Sequence, residues 1–313
     1  MDRLVVILGT NASGKSELGI RLAQHFGGEI VSADSRQVYR GLDLGSGKIT
    51  RAQAATVRHH LIDVADVSEH YSLAQYQRAA YAAIDSISGA GKLPLLVGGT
   101  GLYISAVVEG YQLVDVPPNN PLRAELESLP LPQLVERLER WDPEAARRID
   151  KSNRRRLIRS IEIAAAGRTH SAAHRRSPRY DCLQLGLTWP REILVERIES
   201  RLRERLANGM IEEVAGLRSR GVSDLRLDQL GLEYRYITRY LRGELRTLDE
   251  LCTQLGIAIR QFAKEQLTWF KRDRRIIWLD PFKDYVREAC DRISEWLPPL
   301  PTAPGRQERL SPL

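Results

Sequence analysis

Cysteine is scarce in this chain. Cys182, Cys252 and Cys290 are the whole supply in 313 residues, and they lie far apart. Such a distribution makes neither a disulfide framework nor the paired spacing of a structural metal site. Long apolar runs are missing too. No stretch approaches the roughly 20 residues needed to span a bilayer, and the opening "RLVVILG" shows no charged-then-apolar leader with a cleavage site. The expected setting is cytoplasmic, with no membrane partner. Acids run short in one place. Between Arg147 and Arg179, eleven Lys and Arg face only Asp150 and Glu162, so this block carries +9 in a chain of net charge +7. A solvated helix face usually alternates its signs, whereas a one-signed block on a near-neutral body points to a nucleic acid partner.

What the chain does have is "GTNASGKS" at Gly9–Ser16, directly behind the apolar run "LVVILG". It fits the phosphate-loop pattern G-x-x-x-x-G-K-[ST], and a strand and a helix flank it as that pattern requires. Its glycines let backbone N–H groups curl around an anion, Lys15 would reach the phosphate, and Ser16 would ligate Mg²⁺. A motor or GTPase would carry an acid at the end of a further apolar strand to order Mg²⁺ and water, but here that strand ends in glycines, "LLVGGTG". The strand "IVSAD" does end in an acid, Asp34, at the sheet edge where ligands of open α/β sheets collect. Three uses of Asp34 stay open on this reading: a Mg²⁺ ligand, a general base, or a cap for the next segment.

The pattern predicts an α/β fold, a P-loop NTPase-like core with a parallel sheet and an inserted basic helical domain. Apolar strands alternate with the helices of "KSELGIRLAQHF" and "YSLAQYQRAAYAAIDSISGAG" until the proline-rich break "VDVPPNNP". Residues 1–115 form the first part of the core and residues 116–181 the helical insertion. The core resumes over 182–296, from "CLQLGLTW" through one long helix, "REILVERIESRLRERLANGMIEEVAGLRSRG", to the strand "RIIWLD". Residues 297–313 are proline-rich, with little to bury, and are expected to be disordered.

The stretches "GTNASGKS", "SADSRQVYRGLDLGSGK" and "LLVGGTGLY", together with "RHHLIDV" and "QLTWFKR", resemble the tRNA dimethylallyltransferases. These are P-loop enzymes that prenylate the adenosine immediately 3′ of the anticodon. The resemblance runs from about Leu4 to Asp280. It implies that Gly9, Thr10, Asn11, Ala12, Ser13, Gly14, Lys15 and Ser16 hold the diphosphate of dimethylallyl diphosphate, with Ser16 on Mg²⁺ as the only cofactor. It implies that Arg201 stabilises the leaving group, that Asp34 is the general base, and that Thr100 holds Asp34 or the reacting amine by a hydrogen bond. Asp34, Ser35, Arg36, Gln37 and Thr100 would meet the flipped adenine. Arg123, Arg155, Arg156, Leu157, Ile158 and Arg159 would contact the anticodon stem-loop of tRNA, and the enzyme would work as a monomer. Lys48 reads as loop near substrate, and His59 and His60 read as structural. The chain departs from the family in "GTN", where Gly-Pro-Thr is usual, and in "QLGLEYR", where a Gly-Tyr-Lys-Glu type of sequence is common.

Other readings compete. A small-molecule kinase on the same core explains the loop but not the basic insertion. An enzyme that prenylates free adenine nucleotides needs no cationic RNA clamp. An RNA-binding module with a relic loop would have no reason to keep Gly14, Lys15, Ser16 and Asp34.

Overall fold

The computed structural model describes residues 1–114, 116–117, 119–168 and 176–297. In chain order the elements are β1 (Asp2–Gly9), α1 (Lys15–His25), β2 (Glu29–Ala33), α2 (Arg51–Thr56), β3 (His59–His60), α3 (Leu73–Gly89), β4 (Pro94–Gly98), α4 (Gly101–Val108), α5 (Asn120–Ser128), α6 (Leu131–Trp141), α7 (Pro143–Arg148), α8 (Arg154–Ala165), β5 (Tyr180–Leu187), α9 (Arg191–Ala207), α10 (Met210–Ser219), α11 (Asp224–Leu230), α12 (Leu232–Leu241), α13 (Leu248–Phe270), β6 (Ile277–Trp278) and α14 (Tyr285–Trp296). The six strands form one sheet in the order β3-β2-β4-β1-β5-β6, and every pairing is parallel. The expected α/β core with a parallel sheet is the fold observed.

The apolar runs are strands because both of their faces are covered. Successive residues of a strand point to opposite faces. Accordingly Leu4, Val6 and Leu8 of β1 join one buried cluster, and Val5 and Ile7 join another. The second cluster is completed by Leu18 and Leu22 of α1 and by Ala289 and Ile293 of α14. The first is larger and takes its side chains from α3, α4 and α9–α13.

The insertion has a small core of its own, with Leu126, Leu134, Leu138, Leu157 and Ile161 from α5, α6 and α8. Its two connections meet at its base, where Tyr111 bridges Arg176 and the Ser177 N–H donates to the Gly110 carbonyl at 2.9 Å. The tail 297–313 lies outside the described residues except for Leu297. No helix among the described residues is long and apolar enough to cross a membrane.

One detail differs from the sequence reading. The long helix after β5 is two helices, because Gly209 turns left-handed with φ 96° and starts α10 afresh. Its apolar row survives the break, with Leu194, Ile198 and Leu202 packing in the same cluster as Met210, Val214 and Leu217. His59 and His60 form a short edge strand on β2, where His60 bonds the Glu29 carboxylate at 2.7 Å.

Candidate active site

The strand order places three chain segments side by side. β2, β4 and β1 are neighbours, so Asp34, the turn at Gly99 and Thr100, and the loop after Gly9 all leave the same edge of the sheet. β4 lies between the Asp34 strand and the loop strand.

The loop is held from behind. Gly9 has no room for a side chain, since a Cβ would overlap the Leu187 carbonyl, and Gly14 turns with φ 97° to start α1. Trp189 Nε1 donates to the Ser13 carbonyl at 2.9 Å, and Arg197 Nε donates to the Ala12 carbonyl at 2.8 Å. Thr10 is fully buried and shares its hydroxyl with Thr188 at 3.2 Å, so its side chain packs away from the cavity. The Asn11 N–H is already given to Gln266 Oε1 at 2.8 Å.

Lys15 folds back over the loop and donates to the Thr10 carbonyl at 3.1 Å. Burial lowers its ammonium to about 8, against the pull of Asp34 and with a further push from Arg201 and Arg205. A cation left under-solvated in this way gains most from an arriving anion.

Asp34 Oδ1 accepts the N–H of Arg36 at 2.8 Å and, at a longer 3.4 Å, that of Gln37, so it does cap the following turn. Oδ2 makes no hydrogen bond among the described residues, so capping leaves one carboxylate oxygen for chemistry. Thr100 does not hold Asp34. Its Oγ1 accepts the Ser35 N–H at 3.0 Å and thereby fixes the backbone next to the acid. Gln37 is engaged at both ends of its amide. Oε1 accepts from Ser32 Oγ at 3.1 Å, and Nε2 donates to the Gly47 carbonyl at 3.3 Å. Arg201 Nη2 reaches the same carbonyl at 3.4 Å. The Arg201 side chain borders open space, yet its head lies among protein groups, and burial together with neighbouring Arg205 lowers its guanidinium to about 10. Lys48 lies in a loop that borders the first cavity, as read, and its Nζ is held 2.6 Å from both Asp43 and Asp63.

Three cavities run in a row. One of about 520 Å³ is lined by Ala12, Gly14, Lys15 and Arg197. The next, about 420 Å³, is lined by Asp34, Gln37 and Thr100 and shares Lys15, Ser16, Gly47 and Arg201 with the first. The third, about 840 Å³, lies between core and insertion and shares Ser35, Arg36, Arg155 and Arg235 with the second. Arg123, Ile158 and Arg159 also border it. Leu157 does not, because it is 0% exposed in the core of the insertion and its side chain offers nothing to a ligand. Arg123 is bound to the buried Glu162 at 2.7 Å, and Arg159 donates to the Val116 carbonyl at 2.7 Å. Arg155 and Arg156 are exposed and make no ion pair among the described residues.

The sequence reading missed Arg197, Gln266 and the pair Arg205–Glu233, all of which touch the loop or the second cavity. A spacing of four from Arg201 was the only signal for Arg197 and Arg205. Gln266 had none beyond its place in "QLTWFKR".

The family model for IPP transferase matches residues 37–273. Among curated proteins, tRNA dimethylallyltransferase 2 of Shewanella sediminis is 42% identical over 93% of this chain and 98% of its own length. The enzyme of the same name from Syntrophotalea carbinolica is 45% identical over 88% and 94%. Among solved structures, the full-length tRNA isopentenylpyrophosphate transferase of Bacillus halodurans is similar with a TM-score of 0.71 and 37% identity, covering 94% of this chain and 96% of that one. A eukaryotic dimethylallyltransferase described as acting on tRNA gives a TM-score of 0.80 at 25% identity, covering 99% and 82%. With a family model spanning most of its length and relatives matched nearly end to end, the chain belongs to the IPP transferase family, that of the tRNA dimethylallyltransferases.

Proposed function

We propose that this tRNA dimethylallyltransferase moves the dimethylallyl group of dimethylallyl diphosphate onto N6 of the adenosine immediately 3′ of the anticodon, releasing diphosphate. The observation that carries the reading is that the phosphate loop and the Asp34 carboxylate border one cavity, which opens toward the arginines of the insertion. Diphosphate sits against Lys15 and the loop amides, with Arg201 approaching from α9. The allylic C–O bond breaks and its electron pair goes to the diphosphate oxygen, where these cations stabilise the growing charge. The N6 lone pair forms the new C–N bond, and Asp34 accepts the proton that N6 gives up.

The target base leaves the anticodon stack to reach the second cavity, while Arg155 and Arg156 hold phosphates of the stem-loop outside. A free nucleotide would have no use for the third, arginine-lined cavity. Mg²⁺ suits the site, because the Ser16 hydroxyl is a hard oxygen donor that borders the cavity of the phosphate loop. The described residues hold no cluster of three or more His, Cys, Asp or Glu that could bind a metal by itself, so the ion would be held by Ser16 and diphosphate oxygens. When bound, it supplies charge neutralisation to the diphosphate. We propose further that the enzyme is cytoplasmic and works as a monomer.

The test is mass spectrometry of tRNA after incubation with the protein, dimethylallyl diphosphate and Mg²⁺. One dimethylallyl substituent on the adenosine 3′ of the anticodon is expected. Turnover of ATP without RNA, with no change in tRNA mass, would overturn the reading in favour of a kinase.

A further inference from the structure

Arg205 and Glu233 stand in the same cavity as Lys15, Asp34 and Arg201, and the reaction described above gives them no part. Arg205 follows Arg201 by four residues on α9, so the two side chains share a face of the helix. Both heads rest against Gly47, where a Cβ would overlap the two guanidinium groups. Arg205 Nη1 lies 3.4 Å from a Glu233 carboxylate oxygen, and the side chains are only 16% and 15% exposed. Glu233 is in the first turn of α12, where the helix terminus favours an anion.

Arg205 can give five N–H donors, and among the described residues only Nη1 is engaged, with Glu233. The rest of its fork has no hydrogen-bond partner among the described residues, and Arg205 lines the cavity together with Lys15 and Arg201. Lys15, Arg201 and Arg205 gather in one partly desolvated space, where the carboxylates Asp34 and Glu233 offset their mutual repulsion only in part. The group that leaves in prenyl transfer gains a negative charge as the C–O bond breaks, so a third cation acts most strongly on the departing state.

We infer that Arg205 is a further diphosphate-contacting residue of the transfer reaction and that Glu233 is the positioning residue that holds its guanidinium in the cavity. The inference rests on the diphosphate reading of the loop.

The experiment is calorimetric titration of the full chain with inorganic pyrophosphate in the presence of Mg²⁺. It uses the wild type, Arg205→Gln, Arg205→Lys, Glu233→Gln, the double variant Arg205→Gln/Glu233→Gln, and Lys15→Ala as the control for the loop, with melting curves to verify folding. Loss of a charge-assisted contact predicts roughly 10- to 100-fold weaker pyrophosphate binding by Arg205→Gln, with part of it restored in Arg205→Lys. Glu233→Gln should alter pyrophosphate affinity in the wild-type background and leave it unchanged in the Arg205→Gln background. If Arg205→Gln binds pyrophosphate like the wild type while Lys15→Ala does not, Arg205 is only half of a structural ion pair and the inference fails alone. If Lys15→Ala also binds normally, the diphosphate reading itself fails. Equal effects of Glu233→Gln in both backgrounds overturn the positioning role.

Discussion

Gln266 accepts the backbone N–H of Asn11 at 2.8 Å, joining the end of α13 to the phosphate loop across 255 residues of sequence. Its Nε2 donates to the Gly99 carbonyl, also at 2.8 Å. One buried amide therefore ties the loop after β1 to the turn after β4, and Gly99 leaves it room, since a Cβ there would come within 2.7 Å of Nε2. Gln266→Ala would leave a donor and an acceptor unpaired in a buried place, at about 1–3 kcal/mol each. Urea unfolding should show that loss, and single-turnover prenylation should slow as the loop drifts from Thr100. Gln266→Glu keeps the acceptor for Asn11 but sets a second oxygen against the Gly99 carbonyl in a buried place, and should lose stability as well. Wild-type stability and rate in Gln266→Ala would show that the tie has no consequence.

Most of the core could be read from the sequence because its signals are local. A parallel strand covered on both faces is a continuous apolar run, and "LVVIL", "EIVSA" and "PLLVG" are all strands. The site was legible where one motif carries it, as in the loop. What could not be read depends on pairs far apart in the chain. Glu162 lies inside the basic block and reads as one of two stray acids. In the fold it is 1% exposed and binds Arg123 at 2.7 Å, the Asn119 N–H at 3.0 Å and, more loosely, Arg159 at 3.6 Å. Part of the positive charge there holds the insertion together instead of facing outward. Leu157 shows the same limit: amid arginines it looks like surface, yet its position on α8 turns it into the core.

A second prediction follows from the lowered ammonium of Lys15, at about 8 in the free protein. Diphosphate beside it favours the charged form, so binding above pH 8 draws a proton onto Lys15. Calorimetry at about pH 8.5 in buffers of different ionisation enthalpy should show that uptake for the wild type. Lys15→Met should show less, by the share that belongs to this residue, and should bind more weakly. With rising pH through about 8 the wild-type affinity should lose the advantage it has over Lys15→Met. Identical proton uptake by the two proteins would remove Lys15 from the anion site.

The insertion yields a third. Arg155 borders the passage to the site and Arg156 lies on the exposed side of α8, whereas Arg159 is fastened to Val116 and Glu162. Arg155→Ala and Arg156→Ala should each weaken tRNA binding and flatten its dependence on log salt by about 0.7 to 0.9, the slope of one phosphate contact. Arg159→Ala should act first on the melting temperature. Filter binding across a salt series separates the two behaviours, and an unchanged slope in Arg155→Ala/Arg156→Ala would mark both as solvated surface.

The last prediction concerns Asp34, whose two oxygens have different neighbours. Oδ1 caps the turn through the Arg36 N–H at 2.8 Å, and Oδ2 is without a hydrogen bond among the described residues. Asp34→Asn keeps an acceptor for the cap and a polar group in the cavity, but it cannot take a proton from N6. A carboxylate is a weak base, which suffices because the amine turns strongly acidic only as the C–N bond forms. Both substrates should then bind Asp34→Asn with near-normal affinity, while the chemical step slows by about 10²–10⁴-fold, the usual weight of a positioned base. Rapid-quench measurement of tRNA prenylation at saturating substrate reads that step directly. If pyrophosphate binding in Mg²⁺ collapses while the rate at saturation holds, Asp34 belongs to the metal shell. If the melting temperature drops while rate and affinity hold, the cap at Arg36 is its whole role. Since Asp34→Asn preserves the Oδ1 acceptor, a rate loss without a stability loss isolates the proton-accepting oxygen from the structural one.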